Sequence, residues 1–327
     1  MISAWDCRSV FRAETQNEVP PEFRAVYDRL VGINGLPSFG LFTPIVRERA
    51  RLLSHWSPPR LILVFRDSLA LLSLDTRTDL VITYELSRDD FLGFGLAEFL
   101  LDAWLTFYHR EFPGGRKIHY PTAEKYYYSE LARFLIVWSS REDPAAQVLF
   151  HTSIAIQGIP AKFSGWLESH PELGVVIEYF FQPAMAPHGP RQESFSNLLF
   201  VAASRGIVSL EEHFPGNPRK FGMEMTFLPH ARVKSVDWIE PADNKHAVIE
   251  ISIKGALARS RMHWPVFAGL RPYALRWIRT VNEGAETVVR FKDPEANGPV
   301  RVNDQETRSD PEPSVTVDNY HVRWGRN

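Results

Sequence analysis

Cysteine is almost absent from the 327-residue sequence, which contains only Cys7. A single cysteine excludes an intramolecular disulfide framework and a metal site built from several thiolates. Such sparse use of cysteine is typical of a reducing compartment, so we expect a cytoplasmic protein. The first twenty residues are polar and mixed, and we expect no cleavable signal peptide there because they contain no apolar run.

The chain also lacks an excess of charge of either sign. Its 37 Lys and Arg residues balance 39 Asp and Glu residues, which gives a formal net charge of −2. No global field attracts a polyanion, and we therefore do not expect nucleic acid as a partner. Binding to an anionic membrane would need a local basic surface.

Only one apolar stretch approaches the length of a membrane-spanning helix, and it covers residues 91–108. Glu98 and Asp102 lie inside it, and an acidic side chain near the bilayer centre costs about 2.5 to 3.5 kcal/mol. Gly93 and Gly95 weaken it further as a helix. We therefore predict a buried segment of a soluble fold.

The motifs of common catalytic and cofactor sites are missing as well. The sequence has no Gly-x-Ser-x-Gly motif, no phosphate-binding glycine loop and no regular metal-ligand spacing among its 11 histidines. The acidic pairs Asp89-Asp90 and Glu211-Glu212 are adjacent, and on strands they would point to opposite faces. We predict a protein that is not an enzyme, with no catalytic residues, bound metal or cofactor. A hydrolase-type enzyme with an unrecognised site is one alternative.

What the sequence does contain is an internal similarity. The Ile-His-Tyr-Pro segment at 118–121 returns as Met-His-Trp-Pro at 262–265, and an aromatic-rich amphipathic segment follows each. This alignment makes His119 and His263 equivalent, and we interpret both as structural residues that end a strand before a proline. Further upstream, Gly-Leu-Pro at 35–37 resembles Gly-Ile-Pro at 158–160.

The similarity extends to predicted strands. Residues 60–74 read as a tight hairpin, and they align without a gap on residues 196–210. Residues 91–108 fall opposite residues 233–253, whose second part alternates isoleucine with polar side chains. Because that alternation is typical of a strand, we predict β structure for residues 91–108 too.

Helices are predicted at four places. One begins at Pro21 and ends near Gly35, and Thr43-Pro44 begins a second that reaches about Trp56. An amphipathic helix then closes each half, around residues 127–138 and 270–281. We divide the chain into an N-terminal helical extension (1–34), a first domain (35–141), a second domain (158–283) and a flexible polar tail (284–327).

Short antiparallel strands followed by one amphipathic helix give each half the element order of pleckstrin-homology domains. Each half resembles the bacterial pleckstrin-homology-like branch of that fold, over about residues 50–140 and 173–283. The resemblance implies an α+β, mainly β fold with two partly open barrels, each closed by its C-terminal helix. Phosphoinositide-binding relatives cluster basic residues in the first hairpin loop, whereas residues 66–68 and 203–205 hold one each. We therefore do not expect phosphoinositide binding.

From this organisation we predict an interaction or scaffolding module that binds a protein or peptide through its paired domains. The alternative is a peripheral module at the anionic inner face of a membrane. Candidate contact residues are few, and they lie on the two closing helices: Arg271, Arg276, Arg279, Tyr126 and Tyr128. The partner's identity and the oligomeric state stay open.

Overall fold

The computed structural model describes residues 9–49, 54–99, 102–110, 115–140, 158–184, 196–213, 222–240, 246–254 and 261–292. The fold is α+β and mainly β, as the sequence predicts, and every strand pairing in the described ranges is antiparallel. Within these ranges no sheet closes into a barrel.

Among the described residues, the first half of the chain contains ten strands and two α-helices. They are β1 (Phe11–Arg12), α1 (Pro21–Asn34), β2 (Phe39–Thr43), β3 (Val46–Arg49), β4 (Ser54–Ser57), β5 (Arg60–Val64), β6 (Ser68–Asp75), β7 (Leu80–Ser87), β8 (Phe91–Phe99), β9 (Asp102–His109), β10 (Arg116–Tyr120) and α2 (Lys125–Ser139).

The second half contains seven strands and two helices among the residues that the structure describes. They are α3 (Ala161–Glu168), β11 (Val176–Gln182), β12 (Asn197–Ala203), β13 (Gly206–His213), β14 (Gly222–Pro229), β15 (Val233–Ile239), β16 (His246–Ile253), β17 (Arg261–Phe267) and α4 (Arg271–Lys292).

The strands form four sheets. A five-stranded sheet has the order β1-β2-β5-β6-β7, a seven-stranded sheet the order β10-β9-β8-β14-β13-β12-β11, and a three-stranded sheet the order β15-β16-β17. Strands β3 and β4 form a separate hairpin. Apart from β1 and that hairpin, each half runs through one helix, four strands, three strands and a closing helix.

The seven-stranded sheet joins the two halves, because β8 pairs with β14. Two glycines allow the strands to approach here. A Cβ atom on Gly93 would lie under 3.0 Å from the carbonyl oxygen of Phe227, and one on Gly222 would lie equally close to that of Glu98. Gly93 also has a φ of 151°, which L side chains rarely adopt.

The hydrophobic core crosses the same join. One buried cluster includes Leu105 and α2 residues from the first half together with Phe163 and Leu210 from the second. A second cluster lies under α4, and a third packs α1 against the outer face of the five-stranded sheet. Residues 35–141 and 158–283 therefore share one of their cores.

Helices α1 and α3 open the two halves in the same way. The backbone N–H of Phe23 donates to the Pro20 carbonyl, and that of Phe163 donates to the Pro160 carbonyl, both at 2.9 Å. Both phenylalanines are fully buried. Residues 158–160 thus precede a helix, whereas residues 35–37 follow one, so the two similar Gly-x-Pro segments do not occupy the same place in the order of elements.

The closing helices also match in position, through their buried faces. Helix α2 buries Tyr128, Leu131, Ala132 and Leu135, and α4 buries residues with the same spacing: Ala274, Trp277, Ile278 and Val281. This match sets residue 125 opposite residue 271, an offset of 146 positions.

The repeated His-aromatic-Pro segments have an offset of 144, so they are not equivalent in the structure. Pro121 follows the end of β10, as predicted, whereas Pro265 lies inside β17 and pairs with Val248. Proline is tolerated there because β17 is an edge strand, with one row of backbone N–H groups outside the ladder. The interpretation of both histidines as strand-ending residues holds for His119 only.

Other sequence predictions have mixed outcomes. Strands at residues 91–108 and 233–253 are confirmed as β8–β9 and β15–β16. The helix predicted from Thr43 to about Trp56 is wrong, because β3 and β4 pair there instead. Helix α4 continues to Lys292, so the boundary predicted at residue 284 falls within a helix. Residues 293–327 of the predicted tail lie outside the described ranges.

Candidate functional site

A groove lies above the join between the halves, between α2 and α3. Its volume is about 600 Å³. Two cross-strand pairs of β8 and β14 form its floor, Leu96 with Met225 and Glu98 with Met223. The first pair is buried and the second is half-buried, so the floor becomes more polar toward the Glu98 end.

The wall from α2 is basic. Lys125, Ser129 and Arg133 follow one another at intervals of four residues and therefore lie on one face of that helix. The Nη2 atom of Arg133 donates a hydrogen bond to the Ser169 carbonyl at 2.8 Å, which ties α2 to the end of α3.

The wall from α3 combines a cation with a rigid aromatic pair. Lys162 and Trp166 line the groove one turn apart, and His170 follows. The His170 ring stacks on the Trp166 indole with centroids 3.9 Å apart, and its Nδ1–H donates to the Trp166 carbonyl at 2.8 Å. Burial lowers the pKa of His170, so the ring is neutral at pH 7.

Two carboxylates pair with the lysines. The Nζ atom of Lys125 lies 3.8 Å from a Glu98 oxygen, and that of Lys162 lies 2.9 Å from a Glu212 oxygen. Burial raises the pKa of Glu98, and the Lys125 charge opposes this effect. No carboxylate among the described residues forms an ion pair with Arg133, whereas each of the two lining lysines has one.

The structure separates the two predicted contact tyrosines. Tyr126 is 63% exposed, and its hydroxyl donates to Glu130 at 2.7 Å. Tyr128 is fully buried, stacks on Tyr120 with centroids 3.6 Å apart and is hydrogen-bonded to Thr43. The prediction of Tyr128 as a surface contact is wrong, because this ring belongs to the buried face of α2.

The predicted basic face of α4 is largely neutralised. Arg271 lies 2.9 Å from Glu240, and Arg276 lies 2.9 Å from Glu178. Arg279 is exposed and forms no ion pair with any residue that the structure describes. Two of the three predicted contact arginines are thus engaged within the protein.

The repeated histidines do not form a common site. His119 faces Trp104 across the β9–β10 ladder, with ring centroids 5.8 Å apart. His263 is exposed on β17 and lies 3.4 Å from Glu250. Within the described ranges, no group of three or more His, Cys, Asp or Glu side chains is arranged to hold a metal ion.

Strand β7 provides a second candidate surface, and strand β14 is the strand at the same place in the second half. Strand β14 is paired on both sides, with β13 and β8, whereas β7 is the last strand of its sheet. Among the large hydrophobic side chains of β7, Leu80 is 65% exposed and Ile82 is 46% exposed. The strand carries one ionisable carboxylate, Glu85, and no proline or glycine.

Sequence reasoning missed the groove because it did not predict α3. The signal was present, since Pro160 at a helix start is followed by apolar residues Phe163, Trp166 and Leu167 at helical spacing. Without α3, the cationic face of α2 reads as an ordinary solvated surface.

No protein-family model and no curated protein matches this sequence. No helix within the described ranges combines the length and the apolar composition needed to cross a bilayer. Three surfaces of the described structure are candidate sites: the groove, the β7 edge and the exposed face of α4.

Proposed function

We propose that the protein is a non-enzymatic interaction module, built from two pleckstrin-homology-like units, that binds an extended segment of a partner protein along β7. The observation that carries the proposal is the contrast between β7 and β14. Strand β14 already accepts β8 as an added antiparallel strand. Strand β7 occupies the same place in its own half, and no described strand pairs with its outer edge.

The order of elements supports the assignment of two related units. Each half has a four-stranded sheet segment, then a three-stranded segment, then an amphipathic helix that buries one face. The sheets are open, and each closing helix contacts both segments of its half, α2 through β2 and β8 and α4 through β11 and β15. In the second unit the carbonyl oxygen of the Gln182 side chain accepts the backbone N–H of Phe267 at 2.8 Å, which links the outer strands β11 and β17.

The chemistry of β7 suits strand addition. An unpaired edge presents a row of backbone donors and acceptors, and soluble proteins usually protect such edges with lysine, proline or a bulge. Strand β7 has eight residues without any of these features. Edge strands β10 and β17 differ, because β10 carries Arg116 and Lys117 and β17 carries Pro265. Leu80 and Ile82 offer apolar contacts that an alternating partner sequence can cover.

A random peptide library displayed on phage tests this proposal. We expect selection on the wild-type protein to enrich peptides that alternate apolar and polar residues. The binding of a synthetic selected peptide should fall about tenfold or more in Ile82→Lys, since a charge at the edge blocks an added strand. Ile33→Lys is the matched control, because Ile33 is 71% exposed and belongs to helix α1, so the substitution places the same charge outside the β7 strand.

Two results would contradict the proposal. One is that no peptide is enriched, and the other is that Ile82→Lys binds the selected peptide as tightly as Ile33→Lys does. Methylation of alternate amide nitrogens in the peptide provides an independent check. It removes main-chain donors without changing side chains, so binding that survives it would exclude strand addition.

Peripheral membrane binding is the alternative hypothesis, and the ion pairs of Arg271 and Arg276 weaken it. Cosedimentation with liposomes of increasing anionic lipid content separates the two functions. Salt-sensitive binding that is lost in Arg279→Glu would favour the membrane, because each exposed cation near an anionic surface contributes about 1 kcal/mol.

A further inference from the structure

We infer that the groove between α2 and α3 is a binding site for a small amphiphilic anion, a molecule with an apolar body and a single acidic group. This site is separate from the β7 edge, since no β7 residue lines it. Neither the peptide hypothesis nor the membrane hypothesis uses it.

The size and floor of the groove fit an apolar body. Sites for small molecules have volumes of roughly 300–1,000 Å³, and this groove has about 600 Å³. Leu96, Phe99 and Met225 supply apolar surface at its base. The side chains of Met223 and Met225 are unbranched and polarizable, so they adapt to the shape of a bound chain or ring.

The charges of the groove fit one acidic group. Lys125, Arg133 and Lys162 line it, and Glu98 and Glu212 compensate the two lysines. Arg133 has no carboxylate partner among the described residues, and it is held in place by its hydrogen bond to the Ser169 carbonyl. A carboxylate or sulfonate beside this guanidinium restores neutrality and forms charge-assisted hydrogen bonds.

Other titratable groups near the groove do not change this balance. Glu172 lies close enough to His170 to influence its pKa, but it forms no ion pair with Arg133. His170 contributes no charge at pH 7, because its burial favours the neutral ring. Its stacking on Trp166 and its hydrogen bond to the Trp166 carbonyl fix the indole as a rigid wall. A preformed wall loses little entropy when a ligand binds.

The second half shows why the site occurs once among the described residues. With the 146-residue offset of the closing helices, Lys125 corresponds to Arg271 and Arg133 to Arg279. Helix α4 thus carries cations at the same two places as α2. The cationic face of α2 in the first half is covered by α3 from the second half, and the groove lies between them. Arg279 on α4 is exposed.

Titration calorimetry with three ligands of equal chain length tests the inference. The ligands are decanoate, decanol and decyltrimethylammonium, each used below its micelle concentration. We expect decanoate to bind the wild-type protein with one site and about tenfold more tightly than decanol, because one charge-assisted contact distinguishes them. The cationic ligand should not bind. Equal affinities for all three, or no binding of decanoate, would overturn the inference.

Three variants locate the site. Arg133→Met keeps most of the apolar stem and should reduce decanoate affinity about tenfold, to the level of decanol. Ser129→Trp places a large side chain in the groove and should abolish the binding of both. Arg279→Met removes the corresponding arginine of α4 and should change nothing. Binding that persists in Ser129→Trp would place the ligand elsewhere and contradict the site.

These measurements stay informative if one variant is unstable. Circular dichroism spectra and melting temperatures identify a variant that fails to fold. If Arg133→Met does so, the comparison of three ligands on the wild-type protein still tests the charge preference, and Ser129→Trp still tests the location. Peptide binding at β7 is measured separately with Ile82→Lys, so failure of one proposal does not imply failure of the other.

Discussion

Strands β7 and β14 occupy the same place in the two halves and have opposite surroundings. Strand β14 is buried over most of its length, because β8 continues the sheet on its outer side. Strand β7 ends its sheet, and its side chains alternate between exposed and half-buried positions. The two strands thus differ in their neighbours: β14 pairs on both sides, whereas β7 pairs on one side only among the described strands.

The two closing helices can be compared in the same way. Their buried residues have the same spacing, but the side chains at these positions differ in size. In α2 the larger side chain comes first, Tyr128 before Leu131, whereas in α4 Ala274 comes before Trp277. Such a large-to-small exchange at neighbouring core positions conserves the total volume. The helices can therefore close their halves in the same way without sharing residue identity.

The largest loss of stability is expected from a substitution at the join between the halves. In Gly222→Ala the new Cβ would meet the backbone carbonyl of Glu98, which cannot move without opening the β8–β14 ladder. We expect a loss of about 3 kcal/mol in the free energy of unfolding, measured by urea denaturation. Gly165→Ala is the control, because Gly165 lies in α3 with no atom within 4 Å of the added Cβ.

Helix propensity predicts that Gly165→Ala stabilises the protein by about 0.5 to 1 kcal/mol. A loss of stability in Gly222→Ala together with a gain in Gly165→Ala would confirm that the two halves depend on the close approach of strands at the join. Equal stability of Gly222→Ala and the wild-type protein would show that β14 and β8 do not pair as described.

An effect of intermediate size is expected when one tryptophan in each closing helix is replaced by phenylalanine. The Trp138 Nε1–H donates to the carbonyls of Phe65 and Arg66, at 2.8 and 3.1 Å. The Trp277 Nε1–H is buried without a hydrogen-bond partner among the described residues. Trp→Phe removes similar volume at both positions, so the difference reports the lost hydrogen bonds.

We expect Trp138→Phe to destabilise the protein by about 1 kcal/mol more than Trp277→Phe does, measured by urea denaturation of both variants. An equal or larger loss in Trp277→Phe would indicate that volume, and not hydrogen bonding, dominates at both helices.

The sequence predicts the types of the secondary-structure elements better than it predicts how the two halves align with each other. Both hairpins at residues 60–74 and 196–210 form, but their turns lie at Arg66-Asp67 and Ser204-Arg205. The structural offset is 138 there, compared with 136 in the ungapped alignment. The two closing segments differ from the alignment by two residues as well.

A slip of two residues has a physical reason for escaping detection. In strands, side chains alternate between faces with period two, so this slip leaves every apolar residue of the hairpins on its original face. The hydrophobic pattern of the hairpins therefore supports both registers equally. In the closing helices the same slip turns the apolar face by about 200°, so the spacing of their buried residues, such as Trp277, distinguishes the two registers.

The groove could not be predicted from the sequence for a similar reason. Lys125 and Arg133 lie on one face of α2, which any helical wheel indicates, but their role depends on α3 packing opposite. Tyr126 and Tyr128 show the same limit, because adjacent aromatic residues on a helix cannot all be buried. Which ring enters the core depends on Tyr120 and Thr43, more than a few residues away.

Alkaline pH should affect the first half more than the second, because α2 buries a tyrosine where α4 has Ala274. Burial raises the pKa of Tyr128 and of Tyr120 above the ordinary value of 10.0. The folded state therefore retains these protons while the unfolded state releases them above pH 10. Stability contributed by the neutral rings is complete below pH 10 and declines as pH rises further.

Measurement of unfolding free energy between pH 9 and 11.5 checks this direction. We expect Tyr128→Phe to flatten the decline above pH 10, whereas Tyr273→Phe, at an exposed position of α4, should leave the slope unchanged. A slope that is identical in the wild type and Tyr128→Phe would show that Tyr128 ionises as readily in the folded state as in the unfolded chain.

The arginines of α4 carry the smallest expected effect. Arg276 forms two contacts with Glu178, at 2.9 and 3.0 Å, and the Glu178 side chain is only 10% exposed. Arg276→Ala leaves that largely buried carboxylate without its cation, and we expect a loss of about 1 kcal/mol in the free energy of unfolding, measured by urea denaturation. Arg279→Ala removes an exposed arginine without an ion pair in the described structure, so its effect should stay within about 0.5 kcal/mol. Because screening weakens exposed charges, 1 M salt should narrow the gap between the two variants but not close it. Equal stabilities of the two variants at low salt would mean that the ion pair with Glu178 does not stabilise the protein. Arg276 would then contribute to a basic face of α4 together with Arg279, as predicted from the sequence.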